Sequence, residues 1–247
     1  MRIGGIIDIS TKDIPHKTSM VIFTVGCNFK CEFCHNKYLL YPNVGKMIKP
    51  DELIDKAKNN LLVSGVSITG GEPTLQSDLK ELCMGLTSIK KYVSVDTNGS
   101  NPEVIKEILP CINRVALDLK GPLDKKNYKK ITRVKVDVDK IVGLIKILNN
   151  VKDLDFEIRT TYERNLLKPG DIDKILFKLN SLDFKGNFVL QQYQYSEGVG
   201  ERFKAVFDKP EHESLVKILK PYCNRPLNFN LFLRDDYVGY ANIKNLL

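Results

Sequence analysis

The chain has 247 residues, 43% hydrophobic and 28% charged, which suits one large globular domain with a substantial core, and it shows no internal repeat or low-complexity tract. No apolar run reaches the roughly 18 residues a membrane helix needs, and Met1-Arg2-Ile3-Gly4-Gly5-Ile6-Ile7-Asp8 lacks a signal-peptide pattern, so a cytoplasmic protein is expected. The formal net charge of +8 points to an anionic partner such as nucleic acid, a nucleotide or an acidic protein surface; yet the lysines are scattered, with modest clusters at Lys90-Lys91, Lys125-Lys126 and Lys129-Lys130, and a lysine-rich surface without binding meaning is the preferred reading.

Short β-branched runs alternate with longer amphipathic stretches. Met1–Pro15 precedes this alternation and suggests a short added strand. Strands are expected at Met20–Val25, Val66–Thr69, Tyr92–Asp96, Arg114–Asp118, Asp155–Thr161 and Asn187–Gln192. Helices are expected at Pro50–Asn60, Gln76–Thr87, Pro102–Leu109, Asp137–Leu148, Pro169–Leu179 and Lys209–Leu219. Beyond Pro221, Asn228–Leu233 reads as a strand that covers one end. Val-Ile-rich strands with few polar interruptions suggest a sheet covered on both faces. Six β–α units in series predict an α/β fold with a parallel sheet and right-handed crossovers. The natural closure is a (β/α)6 partial TIM barrel. The whole chain, 1–247, is read as one domain: 1–15 an extension, 16–195 the barrel core, 196–247 a C-terminal cover. In such barrels the chemistry gathers at the C-terminal ends of the strands.

After the first barrel strand comes Gly26-Cys27-Asn28-Phe29-Lys30-Cys31-Glu32-Phe33-Cys34-His35-Asn36. An iron–sulfur cube normally takes four thiolates. Three from one compact loop would leave the fourth iron open for a small molecule. Two blander readings compete. Positions 27, 31 and 34 follow an i, i+4, i+7 rhythm, as three buried cysteines on a helix would. A zinc site is the other, although structural zinc prefers four protein ligands. Neither explains the second motif, Gly70-Gly71-Glu72-Pro73, which ends the run Val63–Thr69. Of the remaining cysteines, Cys83 and Cys111 are expected to be buried structural thiols. Cys223, between Pro221 and Pro226, is expected in a turn and is the candidate reactive thiol.

The C-x3-C-x-aromatic-C spacing followed by G-G-E-P closely resembles radical S-adenosylmethionine (radical SAM) enzymes. The resemblance implies a partial barrel of the radical SAM type and a [4Fe–4S] cluster held by Cys27, Cys31 and Cys34. It further implies that SAM binds the open iron and is cleaved by one electron to a 5′-deoxyadenosyl radical that abstracts hydrogen. Phe33 stands at the aromatic position that packs near adenine. Gly70 and Gly71 allow close backbone approach to a ligand, Glu72 would accept from the SAM ammonium, and Pro73 would hold the turn.

Other strand ends carry polar groups. Asp96-Thr97-Asn98 follows the third barrel strand, and Asp118-Leu119-Lys120 ends the fourth. A carboxylate ending a hydrophobic strand is costly to bury unless it is paired or binds a cation. Alternation puts Asp118 and Lys120 on one face, either facing the site or closing an interior salt bridge. The D-L-K triplet resembles activating enzymes for glycyl radical proteins. There this segment helps hold SAM, and nearby acidic groups hold a cation beside it. A monovalent cation near Asp96 and Asp118 is therefore expected. On the fifth strand Glu157, Arg159 and Thr161 share a face, and Arg159 is a candidate for the SAM carboxylate or ribose. Gln191 near the end of the sixth is a candidate for adenine or substrate.

The lead-in Ser10–Pro15, the run Phe23-Thr24-Val25-Gly26-Cys27-Asn28, the C-H-N ending at Asn36, Arg159-Thr160-Thr161 and Leu190-Gln191-Gln192 resemble anaerobic ribonucleoside-triphosphate reductase activating proteins. Ile14 stands where those proteins have an aromatic residue, and His16 where they have glycine. The resemblance implies hydrogen abstraction from a glycine Cα of a partner such as anaerobic ribonucleotide reductase. It also implies a low-potential electron donor such as ferredoxin or flavodoxin. The alternative is a radical SAM enzyme that modifies a nucleoside, tRNA or small metabolite.

Overall fold

The structure, a computed structural model, describes residues 1–196, 199, 201 and 205–246. The chain divides into two compact units. The first comprises Met1–Asn28, Asn36–Ala116 and Asp153–Asp155; the second comprises Phe29–His35, Leu117–Lys152 and Phe156–Leu247.

The first unit opens with a hairpin of β1 (Arg2–Ile14) and β2 (Lys17–Thr24). Its two-residue turn places His16 at φ 61°, a left-handed conformation that glycine adopts without a Cβ penalty. Strand β1 is thus longer than the short extension expected. The two-residue strand β3 (Lys46–Met47) pairs with its start. Parallel strands β4 (Gly65–Gly70) and β5 (Tyr92–Thr97) continue from β2. The sheet order is β3-β1-β2-β4-β5, followed by the first residues of β6 (Arg114–Asp118).

Three helices serve this unit: α1 (Pro50–Asn59), α2 (Leu79–Ser88) and α3 (Pro102–Ile108). Helices α1 and α3 begin on proline, whose missing N–H costs nothing at a helix start. Helix α2 starts three residues later than expected. Pro73–Leu75 makes a short 3-10 turn, and Gln76 is extended, its side-chain amide donating to the Val25 carbonyl at 2.8 Å.

The second unit contains the end of β6, then β7 (Asp155–Tyr162), β8 (Asn187–Gln192), β9 (Asn230–Asp235) and β10 (Gly239–Asn242), in that order. Strands β7, β8 and β9 are parallel, while β10 turns back antiparallel. Its helices are α4 (Lys125–Thr132), α5 (Val138–Leu148), α6 (Pro169–Ser181) and α7 (His212–Leu219). Helix α7 starts at His212 rather than Lys209, because Glu211, following Pro210, is still extended at φ −68°, ψ 148°. Helix α4 has no counterpart in the sequence expectation. Only Tyr128, Ile131 and Thr132 of it are buried, so its lysines leave a weak apolar period.

Middle strands are buried on both faces, as in Met20–Ile22, Val115–Leu117 and Phe188–Leu190. That burial is what their apolar runs require. Among the described residues no helix is long and apolar enough to cross a membrane.

Candidate functional site

In the first unit the ends of β2, β4 and β5 meet through backbone. Gly26 has φ 93°, and its carbonyl accepts from the Glu72 N–H at 2.8 Å, while Gly71 N–H donates to the Thr24 carbonyl at 2.8 Å. A Cβ on Gly71 would lie 2.0 Å from the Gly26 oxygen, and one on Gly70, at φ 111°, would lie 2.4 Å from the Thr24 nitrogen. Both glycines are therefore imposed by chain-to-chain approach. Asn36 fastens the same turn, its amide donating to the Gly70 carbonyl at 3.3 Å.

Glu72 is 1% exposed and surrounded by donors. One carboxylate oxygen accepts from Thr74 N–H at 3.2 Å, Thr74 Oγ1 at 2.6 Å and Thr97 Oγ1 at 2.7 Å. The other accepts from Asn98 N–H at 2.7 Å. Burial pushes this carboxyl above the usual range, against the pull of those four donors. In this geometry Glu72 ties the turn containing buried Pro73 to the end of β5. Thr97 and Asn98 thus belong to an internal brace. The Asn98 amide also reaches Asn28 Oδ1 at 2.9 Å and lies 3.9 Å from the Cys27 sulfur.

Asp96 is buried, with Arg114 Nη1 at 3.7 Å from its Oδ1. Arg114 is completely buried and also donates to Ser94 Oγ at 2.9 Å. Cys83 is buried, and desolvation raises its pKa to about 12, as expected of an inert thiol. Cys111, expected to be buried, is half-exposed because it closes a 3-10 turn at the end of α3.

In the second unit, Cys31 and Phe33 are buried and Cys34 is half-exposed; its N–H donates to the Cys31 carbonyl at 3.3 Å. Lys120 Nζ lies 6.0 Å from the Phe33 ring centroid and 3.2 Å from Asp118. Burial works against this ammonium, but Asp118 and the sulfurs of Cys31 and Cys34 outweigh it and hold its pKa above the usual lysine value. Lys120 thus sets a positive charge near Cys31 and Cys34. Arg159 Nε meets Asp118 at 3.0 Å and lies 3.9 Å from Glu157. Desolvation would raise the Asp118 carboxyl, yet Arg159 and Lys120 win and hold it at about 2. The salt bridge considered for Asp118 and Lys120 is thus present, partly open to solvent at Asp118, with Arg159 as a third member. Gln191 is half-exposed on β8, opposite Thr161.

The sequence reading passed over two residues here. His35 packs against Tyr193, ring centroids 5.5 Å apart. Burial pushes the imidazole pKa down, opposed by a hydrogen bond to the Gln194 backbone. His35 Nε2 and the Tyr193 hydroxyl are buried without hydrogen-bond partners. Buried polar atoms without partners in a native fold ask for a ligand or water. The signal was in the sequence: His35 directly follows Cys34, and Tyr193 directly follows a strand end. Cys223 lies elsewhere in this unit, half-exposed, its thiol raised by desolvation. That shift argues against a reactive role.

Cys27 in the first unit and Cys31 and Cys34 in the second are the thiol donor type that an iron–sulfur cluster takes. None of the three cysteines of the motif is in a disulfide. Among the described residues no three His, Cys, Asp or Glu side chains gather around a single ion position. A cube asks for something different, because each thiolate binds its own iron. The glycine turn excludes side chains, and the two unsatisfied polar atoms adjoin Cys34 in sequence or by ring contact.

Comparison with known proteins agrees. The Radical SAM superfamily model matches residues 21–169. A protein of Methanocaldococcus jannaschii, provisionally named glycyl-radical enzyme activating enzyme MJ1227, is 35% identical over 229 residues, covering 89% of this chain and 92% of that protein. A protein of Pyrococcus horikoshii, provisionally named GTP 3′,8-cyclase, is 32% identical over 136 residues, covering 53% of this chain and 43% of its own length. Among solved structures, Streptococcus suis SuiB bound to S-adenosylmethionine superimposes with a TM-score of 0.67 at 23% identity. That match covers 88% of this chain and 50% of SuiB. The fold class is therefore the α/β, (β/α)6 partial-barrel type that the alternation predicted. With the family model spanning more than half of the chain, and the relative from M. jannaschii matching along most of it, this chain belongs to the radical SAM superfamily.

Proposed function

We propose that this radical SAM enzyme abstracts hydrogen from a glycine Cα of a partner glycyl-radical protein, as an activator of anaerobic ribonucleotide reductase does. One observation carries the reading: 35% identity to the provisionally named activating enzyme across 89% of the chain. Cys27, Cys31 and Cys34 would hold a [4Fe–4S] cluster as thiolates, leaving one iron for SAM. When bound, the cluster supplies the electron that cleaves SAM to the hydrogen-abstracting 5′-deoxyadenosyl radical.

The protein's own work is to bind, orient and exclude water. Lys120 supplies a positive charge near Cys31 and Cys34. Gly70 and Gly71 offer backbone to the SAM ammonium, on a turn that Glu72, Pro73, Thr97 and Asn98 keep rigid. Phe33 gives an apolar wall for adenine. Asp118 orients Arg159 toward a carboxylate or ribose, and Gln191 offers an amide to adenine or substrate. His35 Nε2 and the Tyr193 hydroxyl give polar atoms for the ligand to satisfy. A monovalent cation beside Asp96 or Asp118 would compete with Arg114 at the first and with Arg159 and Lys120 at the second. The electron comes from a low-potential donor of the ferredoxin or flavodoxin kind, in a reducing cytoplasm.

The test is anaerobic electron paramagnetic resonance of the reconstituted protein with SAM, a strong reductant and the anaerobic ribonucleotide reductase of the same source. A glycyl-radical doublet that requires SAM and is lost in Cys31→Ala supports the reading. SAM cleavage without a doublet rejects it. The partial match to a GTP 3′,8-cyclase favours a nucleotide as the second substrate class to screen.

A further inference from the structure

The sequence Lys125-Lys126-Asn127-Tyr128-Lys129-Lys130-Ile131-Thr132-Arg133-Val134-Lys135 holds six cations and no acid. In the fold it is not a scattered stretch but one helix, α4, and the turn that leaves it. All six cationic residues are exposed, while Tyr128, Ile131 and Thr132 turn inward. The neighbouring acids are already engaged. Asp124 accepts from the Asn127 backbone and side chain, and Asp171 from Lys174 and the Lys168 N–H.

This arrangement costs helix stability. Lys125/Lys129 and Lys126/Lys130 are like-charge pairs one turn apart, which oppose an isolated helix. Lys125 and Lys126 also stand in the first turn, where the helix dipole favours anions, although Lys129 and Lys130 stand in the last turn, where it favours cations. Exposed like charges held one turn apart, against local helix preference, point to a role toward what the helix meets in solution.

The helix is fastened to the cluster-binding segment. The Lys30 N–H donates to the Thr132 carbonyl at 2.9 Å, and Arg133 pairs with Glu32 at 2.6 Å. From the other side, the Tyr128 hydroxyl accepts from the Lys120 N–H at 3.3 Å. The positive surface is therefore tied to Lys30 and Glu32, the residues on either side of Cys31.

We infer that the lysines of α4, with Lys135 after it, form the docking surface for an acidic segment of the protein substrate, placing that substrate beside the cysteine segment. This inference rests on the glycyl-radical reading above for the identity of the substrate. An acidic protein fits the surface better than nucleic acid. Five of the six cations are lysines, which act as point charges rather than as bidentate forks. The helix exposes no aromatic ring on which a base would stack.

The test uses the full-length protein and two fluorescent probes, an oligoglutamate peptide and an oligouridine of equal length, titrated by anisotropy at low and high salt. The peptide should bind at low salt and weaken as salt rises. Lys126→Glu/Lys130→Glu should weaken it by about tenfold, Lys126→Arg/Lys130→Arg should retain it, and Lys58→Glu/Lys80→Glu, on α1 and α2 with the same change in net charge, should leave it within about twofold. Circular dichroism should show equal folding of all three. The inference falls if the two glutamate variants weaken binding equally, or if neither does. It also falls if oligouridine binds more tightly than the peptide through the same lysines. Peptide binding needs no cluster, so the two readings fail separately. A wild-type enzyme without a glycyl-radical doublet removes the identity of the substrate, whereas a doublet with no α4-dependent peptide binding removes the docking surface alone.

Discussion

Glu72 has two readings that differ in sign. As a ligand-facing carboxylate it would be a burden in the free protein, because burying an ionised acid costs free energy. Its removal would then leave the apoprotein unchanged or more stable. As the brace seen in the structure, it holds four donors of Thr74, Thr97 and Asn98. Glu72→Gln keeps the shape but exchanges one acceptor oxygen for an NH2 group. One placement leaves the Asn98 N–H facing that NH2, and the other leaves the Thr74 N–H facing it while the Thr74 and Thr97 hydroxyls must turn from donors to acceptors. One buried donor without a partner costs about 1–3 kcal/mol, and loss of charge on the remaining bonds adds to this. The expected loss is about 2–3 kcal/mol, or roughly 4–12 °C in Tm for a chain of this size. Thermal and urea unfolding of the apoprotein at neutral pH measure it directly. Coupling of about 1 kcal/mol with Thr97→Val in a double-mutant cycle would locate the effect in the brace. A Tm that is unchanged or raised, with SAM affinity reduced, would refute the brace and restore the ligand role.

Gly71→Ala should be more damaging than its size suggests, because the new methyl would sit 2.0 Å from the Gly26 carbonyl oxygen, a backbone atom that cannot step aside. A loss of about 2–4 kcal/mol in urea unfolding, together with reduced iron uptake on reconstitution, is expected; wild-type stability would mean that the turn is looser than described. Asp118 gives a pH signature. Its folded pKa is depressed from 3.8 to about 2, so its contribution to stability is present above 3.8 and is lost as pH falls toward about 2. Because the side chain is 36% exposed, solvent screening reduces the stabilisation to about 1 kcal/mol. Asp118→Asn should therefore be less stable than wild type at pH 6 and should lose less between pH 4 and pH 2, as read by urea midpoints; parallel pH profiles would show that Arg159 and Lys120 do not act on this carboxylate.

Much of this was legible because it is local. The strands at Arg114–Asp118 and Asn187–Gln192 have the bounds that their β-branched runs suggested, and the proline-led helices begin where proline permits. The cysteine spacing and Gly70–Pro73 carry their chemistry in adjacent residues, so a single segment suffices to read them. What escaped depends on partners far away in sequence. Glu72 looks like a free acceptor until Thr97 and Asn98, 25 and 26 positions later, are brought against it. Asp118 paired with Lys120 follows from alternation along a strand, but Arg159, 41 positions on, does not. The lysines of α4 illustrate the opposite failure. Their clusters were visible, but charge without apolar periodicity does not announce a helix. Only the burial of Tyr128 and Ile131 turns two modest pairs into one continuous surface. Motifs that act through neighbouring backbone are therefore readable from the chain, whereas the groups that orient them, and the surface that would bring a substrate to them, become visible only when the strands and helices are assembled.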